Sequence, residues 1–143
     1  MEHPELTHRS SFRFWNSDAT RFADTDRLGH INNAVFATFY ETGRVAFLFD
    51  PAAPMAPAGC TFVIARLTID FRLEMQYGEE IDIGTVVLSV GRSSFRLGQA
   101  LFRGEACVSV AESVLVLMHE GTRKSMALPE ALVARLGEFA PVS

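Results

Sequence analysis

Apolar and polar residues alternate along most of this chain, and the alternation is interrupted once by a long apolar run. Phe12, Phe14 and Phe22 share one parity while Arg13, Trp15 and Arg21 hold the other, which predicts a first strand over residues 12–22. The residues before it, 1–10, are polar and are expected to be loose. Asp24-Thr25-Asp26-Arg27-Leu28-Gly29-His30 reads as a loop. From Asn33 to Phe49 the chain is apolar nearly all round, broken only by Glu41, Gly43 and Arg44. That pattern predicts a helix buried on most of its faces. Asn32 stands where an N-cap belongs. Gly43 costs about 1 kcal/mol against Ala inside a helix, so its presence suggests a close backbone approach there. Glu41 and Arg44 lie three apart on that helix and are expected to pair. Pro51 disfavours helix at Asp50 and ends the run.

The remainder reads as strand. Val63, Ala65, Leu67, Ile69, Phe71 and Leu73 alternate with Ile64, Arg66, Thr68, Asp70, Arg72 and Glu74, the signature of a half-buried strand. Turns are expected at Tyr77–Glu80, Gly91–Ser94 and Gly104-Glu105, with strands over 81–90, 95–103 and 106–119. A short amphipathic helix is expected over 129–139. Tight turns imply antiparallel neighbours. One buried helix and five strands leave the sheet as the only cover for the helix, so the sheet should curl around it in an α+β arrangement. Pairing of sheet edges between two copies would protect an otherwise open edge.

Length and composition narrow the class. At 143 residues the chain is read as a single domain, residues 1–143. Thirteen Lys and Arg against seventeen Asp and Glu leave a net charge of −4, which argues against nucleic acid and polybasic membrane binding. Two cysteines, Cys60 and Cys107, are too few for a disulfide scaffold and read as small core residues. There is no transmembrane-length apolar stretch and no leader-like N-terminus, so a cytoplasmic protein is expected. No Cys/His cluster has ligand spacing, so no metal is expected, and Gly-x-Ser-x-Gly is missing, which disfavours a serine hydrolase.

Chemistry concentrates in Arg21-Phe-Ala-Asp24-Thr-Asp26-Arg-Leu-Gly29-His30-Ile-Asn32-Asn33. Two carboxylates, an imidazole and two amides precede the start of a buried helix. Unpaired N–H groups and the positive dipole end of a helix polarise a carbonyl. A nearby carboxylate activates water or attacks directly. Each residue also has a purely structural reading: a turn for Asp24, a cap for Asn32, a backbone partner for His30.

The block RFADTDRLGHINNAVFATFYETGR resembles the signature of hotdog-fold acyl-CoA thioesterases of the 4-hydroxybenzoyl-CoA thioesterase type, Asp-x-Asp-x-x-Gly-His-Val-Asn-Asn followed by a helix of Tyr-x-x-(Tyr/Phe)-x-Glu-x-x-Arg character. Val90-Gly91-Arg92-Ser93-Ser94-Phe95 is similar to the family's second turn. The resemblance spans about residues 12–135. It implies a hotdog fold, a curled antiparallel five-stranded sheet around one long central helix. It implies Asp26 as the catalytic carboxylate, Gly29 as the tight-turn residue and the Asn33 N–H as the donor to the thioester oxygen. His30 takes the family's His position, with a structural or orienting role weighed against a catalytic one. Arg92, Ser93 and Ser94 match a turn near the CoA phosphates or pantetheine. Leu28 departs from the plant acyl-carrier-protein thioesterases, which carry Asn there, so an Asp-Asn-His triad is incomplete and the mechanism centres on Asp26. The implied function is hydrolysis of an acyl-CoA by a homodimer or homotetramer with sites between subunits, no cofactor being needed beyond the CoA of the substrate. The alternative is a non-catalytic module of the same fold that binds acyl-CoA or acyl-carrier protein.

Overall fold

The computed structural model describes residues 3–142. Five strands, β1 (Phe14–Ala19), β2 (Cys60–Phe71), β3 (Glu80–Val90), β4 (Ser94–Arg103) and β5 (Ala106–His119), form one antiparallel sheet in the order β1-β3-β4-β5-β2. Helix α1 (Asn33–Leu48) lies against one face, and helix α2 (Glu130–Gly137) packs at the end of the sheet where α1 terminates. This is the α+β hotdog arrangement: an antiparallel sheet curled around a central helix.

The buried residues of α1 are Phe36, Phe39, Tyr40, Gly43, Arg44, Phe47 and Leu48. Their spacing of three and four marks a single face. The helix is therefore not buried on most faces, as its composition suggested. Ala34, Thr38, Glu41 and Val45 are exposed in the single chain. Glu41 is not a buried carboxylate, and it forms no ion pair with Arg44 within the salt-bridge distance. Arg44 is the buried member, 8% exposed, and its Nη1 has no hydrogen-bond partner. Burial pulls the Arg44 pKa down, and the charge of Glu41 pushes it back up.

The close approach expected at Gly43 is present. A Cβ there would meet Gln99 Nε2 at 2.6 Å and Ile83 Cγ2 at 2.7 Å. The Gln99 amide is held in place, donating to the Tyr40 carbonyl at 3.2 Å and to Thr85 Oγ1 at 3.1 Å. One turn earlier, the Tyr40 hydroxyl donates to Ser109 Oγ at 2.7 Å, and Ser109 donates to the Asp70 carbonyl at 2.9 Å. Burial pushes the Tyr40 phenol well above its ordinary range.

Two further expectations are corrected. The first is that β2 turns directly into β3. Instead β2 pairs with β5 from Cys60↔His119 to Phe71↔Ser109, and residues 72–79 cross the end of the sheet. The crossing satisfies its polar groups on the way: Arg72 and Leu73 N–H both donate to the Val108 carbonyl at 3.0 Å, and the Met75 carbonyl accepts from Ile31 N–H at 2.8 Å. Alternation reveals which face a strand buries, not which strand lies beside it. The second correction concerns the N-terminus. Residues 4–7 and 9–11 form short 3-10 turns on the outer face of the sheet, with Leu6 fully buried. One inward-facing leucine per polar turn is too weak a pattern to register as periodicity.

Gly43→Ala should destabilise the protein by about 1–2 kcal/mol, despite the gain in helix propensity, because Ile83 and the pinned Gln99 must move. The urea midpoint falls and the slope is unchanged.

Candidate active site

Three main-chain hydrogen bonds fold the Asp26 loop. Asp24 is buried, and its Oδ2 accepts the Arg21 N–H at 2.9 Å while its carbonyl accepts Asn32 N–H at 2.9 Å. Asp24 is thus a structural carboxylate. Asp26 N–H donates to the His30 carbonyl at 2.7 Å, and Gly29 N–H donates to the Asp26 carbonyl at 3.1 Å. The tight reversal needs Gly29 at φ +84°, in the left-handed region that glycine enters without penalty.

This fold of the loop sets the Asp26 side chain. Oδ1 accepts the N–H groups of Leu28 at 2.9 Å and His30 at 3.2 Å. Oδ2 has no hydrogen-bond partner among the described residues. Asp26 is exposed. The loop then delivers the chain into α1. Asn32 caps the helix, its Oδ1 accepting from Ala34 N–H at 3.0 Å. The N–H of Asn33, the first helical residue, makes no hydrogen bond within the described chain and sits at the positive end of α1.

Asp26, His30 and Asn33 line one cleft of about 320 Å³. Its apolar wall includes Phe36, Phe71 and Leu73. The Phe36 and Phe71 rings meet edge to face at 5.0 Å. The far wall is the 72–79 crossing, and His30 Nε2 lies 3.1 Å from Glu74 Oε2. Phe71, Arg72, Leu73 and Glu74 were invisible as site residues in the sequence. They stand 45 to 48 positions from Asp26, and only the crossing brings them there.

Gly29, Asp26, His30 and Asn33 are brought together. Arg92, Ser93 and Ser94 are not, within one chain. They form the β3–β4 turn, where the Gly91 N–H donates to the Ser94 carbonyl at 2.8 Å and the Ser93 carbonyl accepts from Leu117 N–H at 3.0 Å. The Asp26 loop adjoins the opposite end of β3, about 30 Å away at roughly 3.3 Å per residue. Neither cysteine is at the cleft. Cys60 is buried with its Sγ 3.5 Å from Met126 Sδ, and burial raises the Cys107 thiol pKa. Among the described residues no three His, Cys, Asp or Glu side chains gather as a metal site, and no helix is long and apolar enough to cross a membrane.

A loop carboxylate facing a free helix N-terminus inside a hotdog fold is matched by what the sequence is related to. The model of the thioesterase-like superfamily matches residues 20–136. The chain belongs to that superfamily. A thioesterase of Thermus thermophilus, solved in complex with coenzyme A and zinc, is similar at 30% identity and a TM-score of 0.76, over 87% of this chain and 98% of that one. The PA5185 protein of Pseudomonas aeruginosa shares the fold at a TM-score of 0.83 and 21% identity, covering 95% of this chain and 97% of that one. The uncharacterized protein YsmA of Bacillus subtilis is 32% identical over 115 residues, 78% of this chain and 77% of its own. Membership makes the chain a thioester hydrolase.

Gly29→Ala has room for its methyl group, since nothing lies within 4 Å of a Cβ there. The cost is backbone strain of about 1–2 kcal/mol. Relief of that strain shifts the Leu28 and His30 N–H groups that hold Asp26. Turnover should therefore fall more steeply than thermal stability, measured side by side by thiol release and melting.

Proposed function

We propose that the protein hydrolyses an acyl-CoA to a carboxylic acid and free CoA, in the manner of the 4-hydroxybenzoyl-CoA thioesterase type. The observation that carries this reading is the pairing, in one cleft, of a carboxylate oxygen without a partner and a main-chain N–H without an acceptor. The thioester carbonyl accepts from Asn33 N–H, and the helix dipole stabilises charge that develops on its oxygen. Asp26 Oδ2 acts on the carbonyl carbon, either by taking a proton from water as that water attacks, or by attacking first to give an anhydride that water cleaves. Oδ1 is held by two N–H groups throughout, so the reactive oxygen is oriented before substrate arrives. Gly29 makes that geometry attainable. His30 supplies one of the two N–H groups, and its ring pairs with Glu74. No cofactor is needed beyond the CoA of the substrate. The coenzyme A held by the Thermus thermophilus relative supports the choice of thioester.

The working unit is a homodimer. Strand β2 is an open edge, with Ile64 45% exposed, and beside it runs the exposed face of α1 with Val45 49% exposed. A groove of about 380 Å³ lies between them, lined by Ala37, Thr38, Glu41 and Ile64. Unpaired edge strands invite another strand, and a two-fold axis makes the pairing self-complementary. Antiparallel pairing of two β2 edges sets the Cys60 end of one strand beside the Phe71 end of the other. Ser93 is bonded to Leu117, which pairs with Phe62 near the Cys60 end. The turn carrying Arg92, Ser93 and Ser94 in one subunit thereby approaches the Asp26 cleft of its mate, where Arg92 meets CoA phosphate.

Two substitutions test the chemistry. Asp26→Asn keeps both N–H contacts to Oδ1 and should lower turnover by about 10²–10⁴-fold with the circular dichroism spectrum retained. Asn33→Pro removes the N–H and exchanges an exposed carboxamide side chain for a pyrrolidine ring. Asn32 already has φ −58° and ψ 136°, which suits a residue before proline, and proline is tolerated at the first helical position. Its turnover should fall by about 10²-fold with stability nearly unchanged. Normal thiol release in both variants removes the assignment. Ile64→Lys tests the assembly: it should lower the solution mass from two chains to one and reduce turnover with it, as light scattering and assay of the same sample will show.

A further inference from the structure

The Asp26 loop, residues 20–32, leans on the 72–79 crossing at both of its ends. At the far end, Ile31 N–H donates to the Met75 carbonyl at 2.8 Å, and His30 faces Gln76 across an isolated antiparallel bridge. At the near end stands Thr20, the first residue after β1 and only 4% exposed. Its hydroxyl donates to the Gln76 carbonyl at 2.7 Å and accepts the Glu79 N–H at 2.7 Å, while its own N–H donates to the Glu79 carbonyl at 2.8 Å. A hydroxyl carries one donor and two acceptor sites. Here the donor and one acceptor bind two points of the crossing three residues apart. The first residue of the loop is thereby stitched to the segment that also receives its last ones.

The crossing is braced in its turn. Met75 is fully buried and pins it to the core. Glu79 Oε1 accepts the Gln76 N–H at 3.0 Å, and Glu79 Oε2 accepts from Arg103 Nη1 at 3.0 Å. The same Nη1 donates to the Glu74 carbonyl at 3.0 Å. Arg103 ends β4, so the sheet itself holds the crossing still. Phe71, Leu73 and Glu74 face Asp26 across the cleft. The spacing between that wall and the carboxylate is set where loop and crossing are joined by hydrogen bonds, at Ile31 and at Thr20. A third contact, Phe22 edge to face with Tyr77 at 5.8 Å, is solvent-exposed and lacks the directionality of a hydrogen bond. Rate is sensitive to such spacing, because a misplacement of about 1 Å costs up to about 10²-fold.

We propose that Thr20 is a positioning residue for thioester hydrolysis. Its buried hydroxyl clasps the start of the Asp26 loop to the crossing, and so holds the carboxylate at a fixed distance from the wall that faces it. Thr20 acts through the loop and touches no substrate. The inference rests on the reading of Asp26 given above.

Four variants of the full chain test it. Thr20→Val keeps the shape of the side chain and removes the hydroxyl. Thr20→Ser keeps the hydroxyl and removes a methyl group. Arg103→Met loosens the brace from the strand side, at a side chain 40% exposed. Leu6→Ala empties a fully buried position on the outer face of the sheet, and so lowers stability away from loop and crossing. Thiol release is followed with hexanoyl-CoA or benzoyl-CoA, whichever the wild type cleaves faster. In Thr20→Val, kcat should fall about 10-fold while KM stays within about two-fold. Thr20→Ser should return kcat to within about three-fold of wild type. Arg103→Met should lower kcat as Thr20→Val does, and Leu6→Ala should keep the wild-type kcat in spite of a lower melting temperature. Amide exchange at Leu28 and His30, whose N–H groups hold Asp26 Oδ1, should quicken in Thr20→Val and not in Leu6→Ala. Wild-type kcat in Thr20→Val overturns the proposal, as does a loss that serine fails to restore or that Leu6→Ala shares. Should Thr20→Val not fold, wild-type kcat in Arg103→Met overturns it. Asp26→Asn tells the two readings apart: full turnover there removes the carboxylate from the chemistry, whereas an inactive Asp26→Asn beside a fully active Thr20→Val removes only the clasp.

Discussion

The contact of α1 with the floor of the sheet at Gly43 governs the rest of the molecule. The missing side chain lets the helix come within reach of Gln99 and Ile83, and helix position follows from that single approach. Around it runs a layer of polar side chains, Tyr40 and Arg44 from the helix and Thr85, Gln99, Ser109 and Ser113 from the sheet. Apolar clusters lie on either side of it, one around Phe36 and Phe39, the other around Phe47 and Leu115. An apolar interface tolerates sliding. A polar layer does not, because one turn of displacement would leave Tyr40 and Gln99 without partners in a medium where that is costly. Gln99 Oε1, Ser113 Oγ and Arg44 Nη1 are already without partners. The layer therefore specifies where the helix sits more than it adds stability. Once that is set, the first N–H of α1 occupies one place at the end of the sheet, and the loop before it must deliver a carboxylate there.

That delivery rests on backbone geometry more than on side-chain charge. The oxygen Asp26 uses for anchoring is held by main-chain N–H groups, and these depend on Gly29 and on the tie from Asp24 to Asn32. The second carboxylate of the Asp-x-Asp pair is exposed while the first is buried. One carboxylate ties the loop, and the other keeps an oxygen free of hydrogen bonds among the described residues. The division follows from chain direction: residue 24 lies under the return of the loop, and residue 26 lies at its tip.

Much of this was legible before coordinates. The helix from Asn33, its Asn32 cap, the role of Gly43 and the hairpins from 80 to 119 all came from local signals, because period, cap and turn are properties of a few adjacent residues. The convergence of Gly29, Asp26, His30 and Asn33 was legible for the same reason: they occupy one short segment. What escaped notice was non-local. The alternation in β2 could not say that its neighbour was β5, so the crossing at 72–79 and the wall it builds from Phe71 to Glu74 stayed hidden. The apolar residues of α1 that face solvent, Val45 among them, misled for a related reason. Apolar composition on every side of a helix does not say which side meets the sheet; the spacing from Phe36 to Leu48 does. The expected Glu41–Arg44 pair failed because helical spacing places two side chains near each other without saying which will be turned toward the sheet.

The two open surfaces of the sheet are treated in opposite ways, and the contrast bears on how such a domain assembles. The β2 edge is left bare, with no lysine or proline to discourage pairing, although it carries Arg66 and Asp70 and a bulge between Ile64 and Arg66 bends it locally. The outer face is covered by an N-terminal arm whose two anchoring side chains, Leu6 and Phe12, fill glycine hollows. The edge is left open while the face beside it is closed by the chain's own N-terminal residues. Edge pairing, as proposed above, would place the cleft of one chain near the Arg92 turn of its mate. The glycines at 84 and 98 weaken their strands, since glycine is a poor strand former, yet they stand where Phe12 and Leu6 need room. Strand propensity has been given up at those positions for the fit of the arm.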